Sequence, residues 1–176
     1  MNETINSILT RRSIRKFTDQ MISKEDLDII LECGKYAASG QGKQSGMMIA
    51  VQDPNMIEKL ERLNAEVVGR DPDLVHNFYG AKTVIVVLAR KDVGTHVYDG
   101  ALVMGNLMLA AHALGIGSCW IHRAKQTFET EEGKAILRGL GMEGDLEGIG
   151  HCVIGYEDGP CREALPRKAN YVYWAE

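Results

Sequence analysis

The chain has 176 residues, 45% hydrophobic and 25% charged, which fits one globular domain with a sizeable core. Its net charge of −4 leaves no basic excess to displace counterions, which speaks against a general nucleic-acid binder. No apolar run approaches the roughly 20 residues of a membrane span. The polar N-terminus shows no secretory signal, and Cys33, Cys119, Cys152 and Cys161 lie far apart without a CxxC pair, as in a reduced, cytoplasmic protein.

Ile5, Ile8 and Leu9 share one helical face, so a short N-terminal helix is expected to deliver the run Arg11-Arg12-Ser13-Ile14-Arg15-Lys16 to a fixed place. Within that run, alternation turns Ile14 and Phe17 toward a core and Arg15 away from it. Ser23 caps a helix whose stripe is Leu27, Ile30, Leu31, Gly34 and Ala37/Ala38, and Ser39-Gly40-Gln41-Gly42 stops it. Met47 to Val51 reads as a strand. Asp53-Pro54 starts the next helix, with Ile57, Leu60, Leu63/Asn64 and Val67 on its buried face. Asp71-Pro72-Asp73 is a turn, and Thr83 to Leu88 is a β-branched strand buried on both faces.

Tyr98 to Leu114 is the longest helical pattern, apolar nearly all round, and belongs in a core or at a subunit interface. Gly115 closes it, and Gly117 to Ile121 is a short strand. Glu129 to Leu140 predicts one more polar helix, and Ile149 to Tyr156 another strand. Pro166-Arg167-Lys168 and Tyr171 to Trp174 form an extended C-terminal tail. No repeat or linker appears, so residues 1–176 read as a single domain. Helices and strands mix without a regular βαβ count, which favours the α+β class.

Arginine suits bidentate capture of phosphate, so the run from Arg11 to Lys16 reads either as an anion site or as a solvated basic face. The loop from Ala37 to Gln44 offers backbone N–H groups and amides to a flat heterocycle, or is merely a helix stop. The stretch from Gly115 to Arg123 either exposes backbone donors to a ring or packs a helix closely on a strand. Pro166-Arg167-Lys168 is a second basic cluster or a charged tail. Cys119, His122, His151 and Cys152 have metal-ligand types, but cysteines in apolar strands usually only pack, so no metal site is expected. No GxGxxG follows a strand, which argues against a dinucleotide domain.

Taken in order, these stretches carry a resemblance. They are Arg11-Arg12-Ser13-Ile14-Arg15, the loop Ser39-Gly40 to Gln44, Asp99…Asn106-Leu-Met-Leu-Ala-Ala…Leu-Gly-Ile-Gly-Ser-Cys-Trp-Ile121, and Pro-Arg-Lys before an aromatic strand. Over nearly its whole length the chain resembles the FMN-dependent nitroreductase family. The resemblance implies a three-layer α+β fold with a mainly antiparallel central sheet, in an intertwined homodimer with FMN at the interface. It also implies an NAD(P)H-dependent oxidoreductase, passing hydride by a ping-pong cycle through flavin N5 to a nitroaromatic, quinone or related small molecule. A flavin-storage or sensing protein is the alternative.

Residue by residue, the resemblance assigns Arg11, Ser13 and Arg15 to the flavin phosphate and Arg12 to its edge, with Arg167 and Lys168 adding charge. It brings Ala38, Ser39, Gly40, Gly42 and Gln44 from the partner subunit against the ring. It sets Trp120, Ile121, His122 and Arg123 at the reactive edge, with a backbone N–H near N5. No side chain is assigned a catalytic role. The family loop usually reads Pro-Ser-x-x-Asn-x-Gln-Pro-Trp; here Ala38, Gly42, Ser45 and Gly46 replace its Pro, Asn, Pro and Trp, which implies a differently shaped pocket. His122 and Arg123 stand where glycine is common, and could narrow access or steer an anionic substrate.

Overall fold

The structure is a computed structural model that describes residues 2–161 and 163–175. Four strands form one sheet: β1 (Gly46–Val51), β2 (Thr83–Arg90), β3 (Gly117–Ile121) and β4 (Leu146–Gly155). Their order is β1-β2-β4-β3, and every neighbouring pair is antiparallel. β2 is buried from Thr83 to Ala89, as its unbroken apolar run requires of a strand covered on both faces. Each fully buried Val or Ile of this kind contributes about 1.5–3 kcal/mol of apolar burial.

Helices cover both faces. Val84, Val86 and Leu88 of β2 pack with Leu60 and Leu63 of α3 (Pro54–Glu66), Phe128 of α5 (Ala124–Glu129) and Ile136 of α6 (Glu131–Gly139). Ile85 and Val87 pack against Ile30 of α2 (Lys24–Lys35) and Met104 and Leu107 of α4 (His96–Ala113). The fold is thus three-layered α+β, as the resemblance implies. α1 (Glu3–Thr10) lies against α4 and buries none of its residues. Among the described residues, no helix is long and apolar enough to cross a membrane.

Local expectations hold in detail. The Ser23 hydroxyl accepts from the Asp26 N–H, Asp53 accepts from Asn55 and Met56 with Pro54 in the first turn, and Gly115 takes φ 73° just past α4. Ile14 and Phe17 are buried while Ser13 and Arg15 are exposed.

One element was not anticipated, and one expectation fails. The helix expected from Glu129 to Leu140 is α6, but a further short helix, α5, precedes it from Ala124 and is separated from it at Thr130. Thr130 takes extended backbone and its hydroxyl accepts from the Gly133 N–H, so it starts a new helix. Gly133 permits the sharp joint: a Cβ there would lie 2.1 Å from the Thr127 carbonyl oxygen. The aromatic segment Tyr171 to Trp174 forms no strand; it is exposed, after a turn at residues 169–170. A strand needs a neighbouring edge for its backbone hydrogen bonds, and among the described residues this tail pairs with no edge of the sheet.

Candidate functional site

The N-terminal helix brings the basic run to the free edge of β3. The Ile14 N–H donates to the Ser118 carbonyl at 2.9 Å, and Ser13 pairs with Ser118 in a parallel bridge. Gly117 admits Ile14 closely, since a Cβ there would meet the Ile14 side chain at 2.9 Å. Ser13, Arg15 and Lys16 then line a cleft of about 310 Å³ with Glu157 to Cys161, and Lys16 pairs with Asp158 at 2.7 Å. Arg12 is used locally: its guanidinium donates to the carbonyls of Leu9 and Arg11, both at 2.8 Å. The Nη1 of Arg11 is buried with no hydrogen-bond partner, and so are Ser118 Oγ and Trp120 Nε1.

The field of these cations is felt nearby. Burial holds the His112 imidazole below its usual pKa, and the charges of Arg11 and Arg12 add to the effect. Its Nε2 lies 2.8 Å from the Thr10 hydroxyl. Burial pushes the Cys119 thiol up, against the opposing influence of Arg15, Ser13 and Arg11, so all three lie around this strand.

The Ala38–Gln44 loop is held by Asp99 of α4, a carboxylate only 3% exposed. Asp99 accepts from the Gly40 N–H at 2.9 Å, the Ser45 hydroxyl at 2.6 Å and the Thr95 hydroxyl at 3.2 Å. Burial alone would raise its pKa; the bonds from Ser45, Gly40 and Thr95 and the neighbouring His96 outweigh it, leaving the carboxyl below its ordinary range. Gly40 approaches so closely that a Cβ would meet Thr95 Oγ1 at 2.2 Å. Gln41, Gly42 and Gln44 all take positive φ, at 54°, 69° and 47°. Ala38, Ser39 and Gln44 line a second cleft, of about 190 Å³.

At the end of β3, the Trp120 indole lies on Gly150, where a Cβ would fall 2.4 Å from Nε1. Ile121 is buried, and His122 and Arg123 are exposed. Asn64 of α3, 2% exposed, donates to the His122 carbonyl at 2.7 Å and accepts from Asn77 at 3.0 Å. Cys119 faces the α3 side of the sheet and Cys152 the α4 side. Among the described residues, no three His, Cys, Asp or Glu side chains are grouped to hold a metal ion.

The model of the Nitroreductase family matches residues 8–156. The chain belongs to the nitroreductase family. Among relatives of this nitroreductase-family chain, a protein of Archaeoglobus fulgidus is 35% identical over 126 residues, 69% of this chain and 68% of its own. The FMN reductase (NADPH) of Bacillus subtilis is 30% identical over 139 residues, 69% of this chain but 54% of the relative, so the chain spans about half of that protein's length. A solved nitroreductase with bound FMN from Bacteroides fragilis matches with a TM-score of 0.90 at 29% identity, over 100% of both chains.

In this nitroreductase-family protein, the residues singled out from sequence fall in three places. Arg11, Ser13 and Arg15 gather on β3; Trp120 and Ile121 end the same strand, and His122 and Arg123 form the turn after it. Ala38 to Gln44 line a different cleft, which shares no residue with that of Ser13 and Arg15. Arg167 and Lys168 sit exposed on the tail beyond β4. The anchoring roles of Asp99 and Asn64 were missed. For Asp99 a signal existed, a lone carboxylate in an apolar helix, which must be satisfied when buried. For Asn64 there was none, because its partner lies 58 residues away.

Proposed function

We propose that this protein is an FMN-dependent oxidoreductase that takes hydride from NAD(P)H. The observation that carries the reading is the buried, unpartnered Nη1 of Arg11 beside Ser13 and Arg15, on the strand that ends at Trp120 to Arg123. A buried guanidinium nitrogen without a partner is costly; a terminal phosphate would satisfy it, and Arg15 offers a second charge-assisted contact. When bound, FMN supplies hydride acceptance and donation at N5, here in a ping-pong sequence with a nitroaromatic, quinone or similar oxidant. The chain's own work is to hold and orient. Arg11, Ser13 and Arg15 would grip the phosphate, and Arg12 holds the end of α1 that presents them. Asn64 fixes the His122 backbone where a donor toward N5 is required.

The Ser39–Gly40 loop would come from a second copy of the chain, because one chain keeps it in a separate cleft. Arg167 and Lys168, on an exposed tail rich in aromatics, would add cations across the same dimer. The uncovered apolar side chains of α1 and α4 support such an assembly. The test is the purified protein: it should be yellow and release FMN, not FAD, on denaturation. Anaerobic NADH or NADPH should then bleach the flavin. Flavin that stays oxidised with both would favour storage over turnover.

A further inference from the structure

The turn that follows β3 holds a non-glycine residue in a backbone form that favours glycine. Arg123 sits at φ 80°, the left-handed region that a side chain adopts at a cost glycine avoids. Its side chain is exposed, with no described hydrogen bond or ion pair. The turn is nevertheless pinned from three sides. Its N–H donates to His122 Nδ1 at 2.7 Å, so the proton of the neutral His122 ring sits on the outer Nε2. The Arg123 carbonyl accepts from the Thr127 N–H and hydroxyl at 2.9 and 3.0 Å. The His122 carbonyl is held by buried Asn64, itself braced by Asn77. Strain kept in place for an exposed cation points to recognition rather than stability.

We infer that Arg123 and His122 form an oxyanion-recognition pair at the mouth of the flavin site, holding a carboxylate or phosphate of the molecule that docks on the flavin. The inference rests on the FMN reading, and Asn64 is the positioning residue of the pair. A planar guanidinium and an imidazole N–H, both exposed on neighbouring residues, are donors that suit such a group. Two sources share this chemistry: a carboxylated aromatic oxidant, and the extra phosphate that distinguishes NADPH from NADH.

The test uses flavin-loaded protein and equilibrium binding read from the flavin absorbance. Benzoate is compared with benzamide, and NADP+ with NAD+. Arg123→Gly should weaken the more anionic member of one pair about tenfold relative to its counterpart, the size of one charged hydrogen bond. The responding pair names the source. The same variant should melt at a higher temperature, because glycine relieves the strained φ. Asn64→Leu should weaken the same ligand while leaving Arg123 in place. Ratios unchanged in both pairs would overturn the inference, as would a fall in melting temperature for Arg123→Gly. Wild-type protein without flavin would instead overturn the FMN reading, and is seen before any variant is made.

Discussion

On one side of the sheet, no large apolar side chain of α3, α5 or α6 is exposed, and Phe78 and Phe128 close over a fully buried His151. On the other side, α1, α2 and α4 leave Ile5, Ile8, Leu9, Ile29, Val97, Tyr98 and Leu102 exposed. Apart from Leu140 at the end of α6, the helices of the first layer cover their apolar side chains within one chain. The second leaves apolar surface uncovered, and it carries both α1, which delivers the basic run, and Asp99 of α4, which anchors the Ser39–Gly40 loop.

The largest way to break this comparison is Leu102→Asp. If α4 is a subunit interface, an unpaired buried carboxylate there costs about 3–5 kcal/mol. Sedimentation should then show monomers, with little FMN bound. If Leu102 is ordinary surface, the change stays within about half a kcal/mol and the sedimentation profile does not move.

The closed layer makes its own prediction. Burial lowers the His151 pKa from 6.5 to about 4, against a weaker opposing influence of the Ile121 backbone. The unfolded chain therefore takes up this proton more readily. His151 costs nothing above pH 6.5, and destabilises progressively as the pH falls from 6.5 to about 4. The loss is about 1.4 kcal/mol per pH unit across that window. Urea unfolding at a series of pH values should show this slope, and His151→Leu should flatten it.

A smaller effect belongs to the site. Arg15→Ala should weaken FMN binding roughly ten- to a hundredfold, the loss of one charge-assisted contact worth about 1.5–3 kcal/mol. Excess FMN should restore most of the turnover. Fluorescence titration of released flavin checks the first claim, and assays at saturating FMN the second.

Much of this arrangement was legible in the sequence, and the reasons are local. Ile14 and Phe17 follow from two-residue alternation, Ser23 and Asp53 from capping chemistry, and β2 from an unbroken β-branched run. The short helix α5 was hidden because six residues give too few turns to show a helical stripe. The tail's lack of a strand was hidden because pairing depends on an edge elsewhere. Of the site, the basic run and the β3 stretch could be placed by motif. The pinning of Gly40 by Asp99 and of His122 by Asn64 joins residues 59 and 58 positions apart, and nothing local encodes it.

The smallest expected effect is that of Asp99→Asn. It keeps an acceptor for the Gly40 N–H but removes the charge, and should cost about 1 kcal/mol. The depressed Asp99 pKa means its contribution is present above the ordinary value of 3.8 and is lost as pH falls below it. That window is more acidic than that of His151, so the same pH series separates the two regions.

The central claim is that two chains together build one flavin site, and a heterodimer tests it most directly. One chain carries Arg15→Ala; the other carries Gly40→Val, whose side chain would collide with Thr95. Differently tagged chains are co-expressed, the mixed dimer is isolated, and its FMN affinity and stoichiometry are measured by fluorescence. Sites shared between chains predict one intact site per mixed dimer, with wild-type affinity, although each parent binds weakly. A mixed dimer that binds FMN no better than either parent would contradict a shared site.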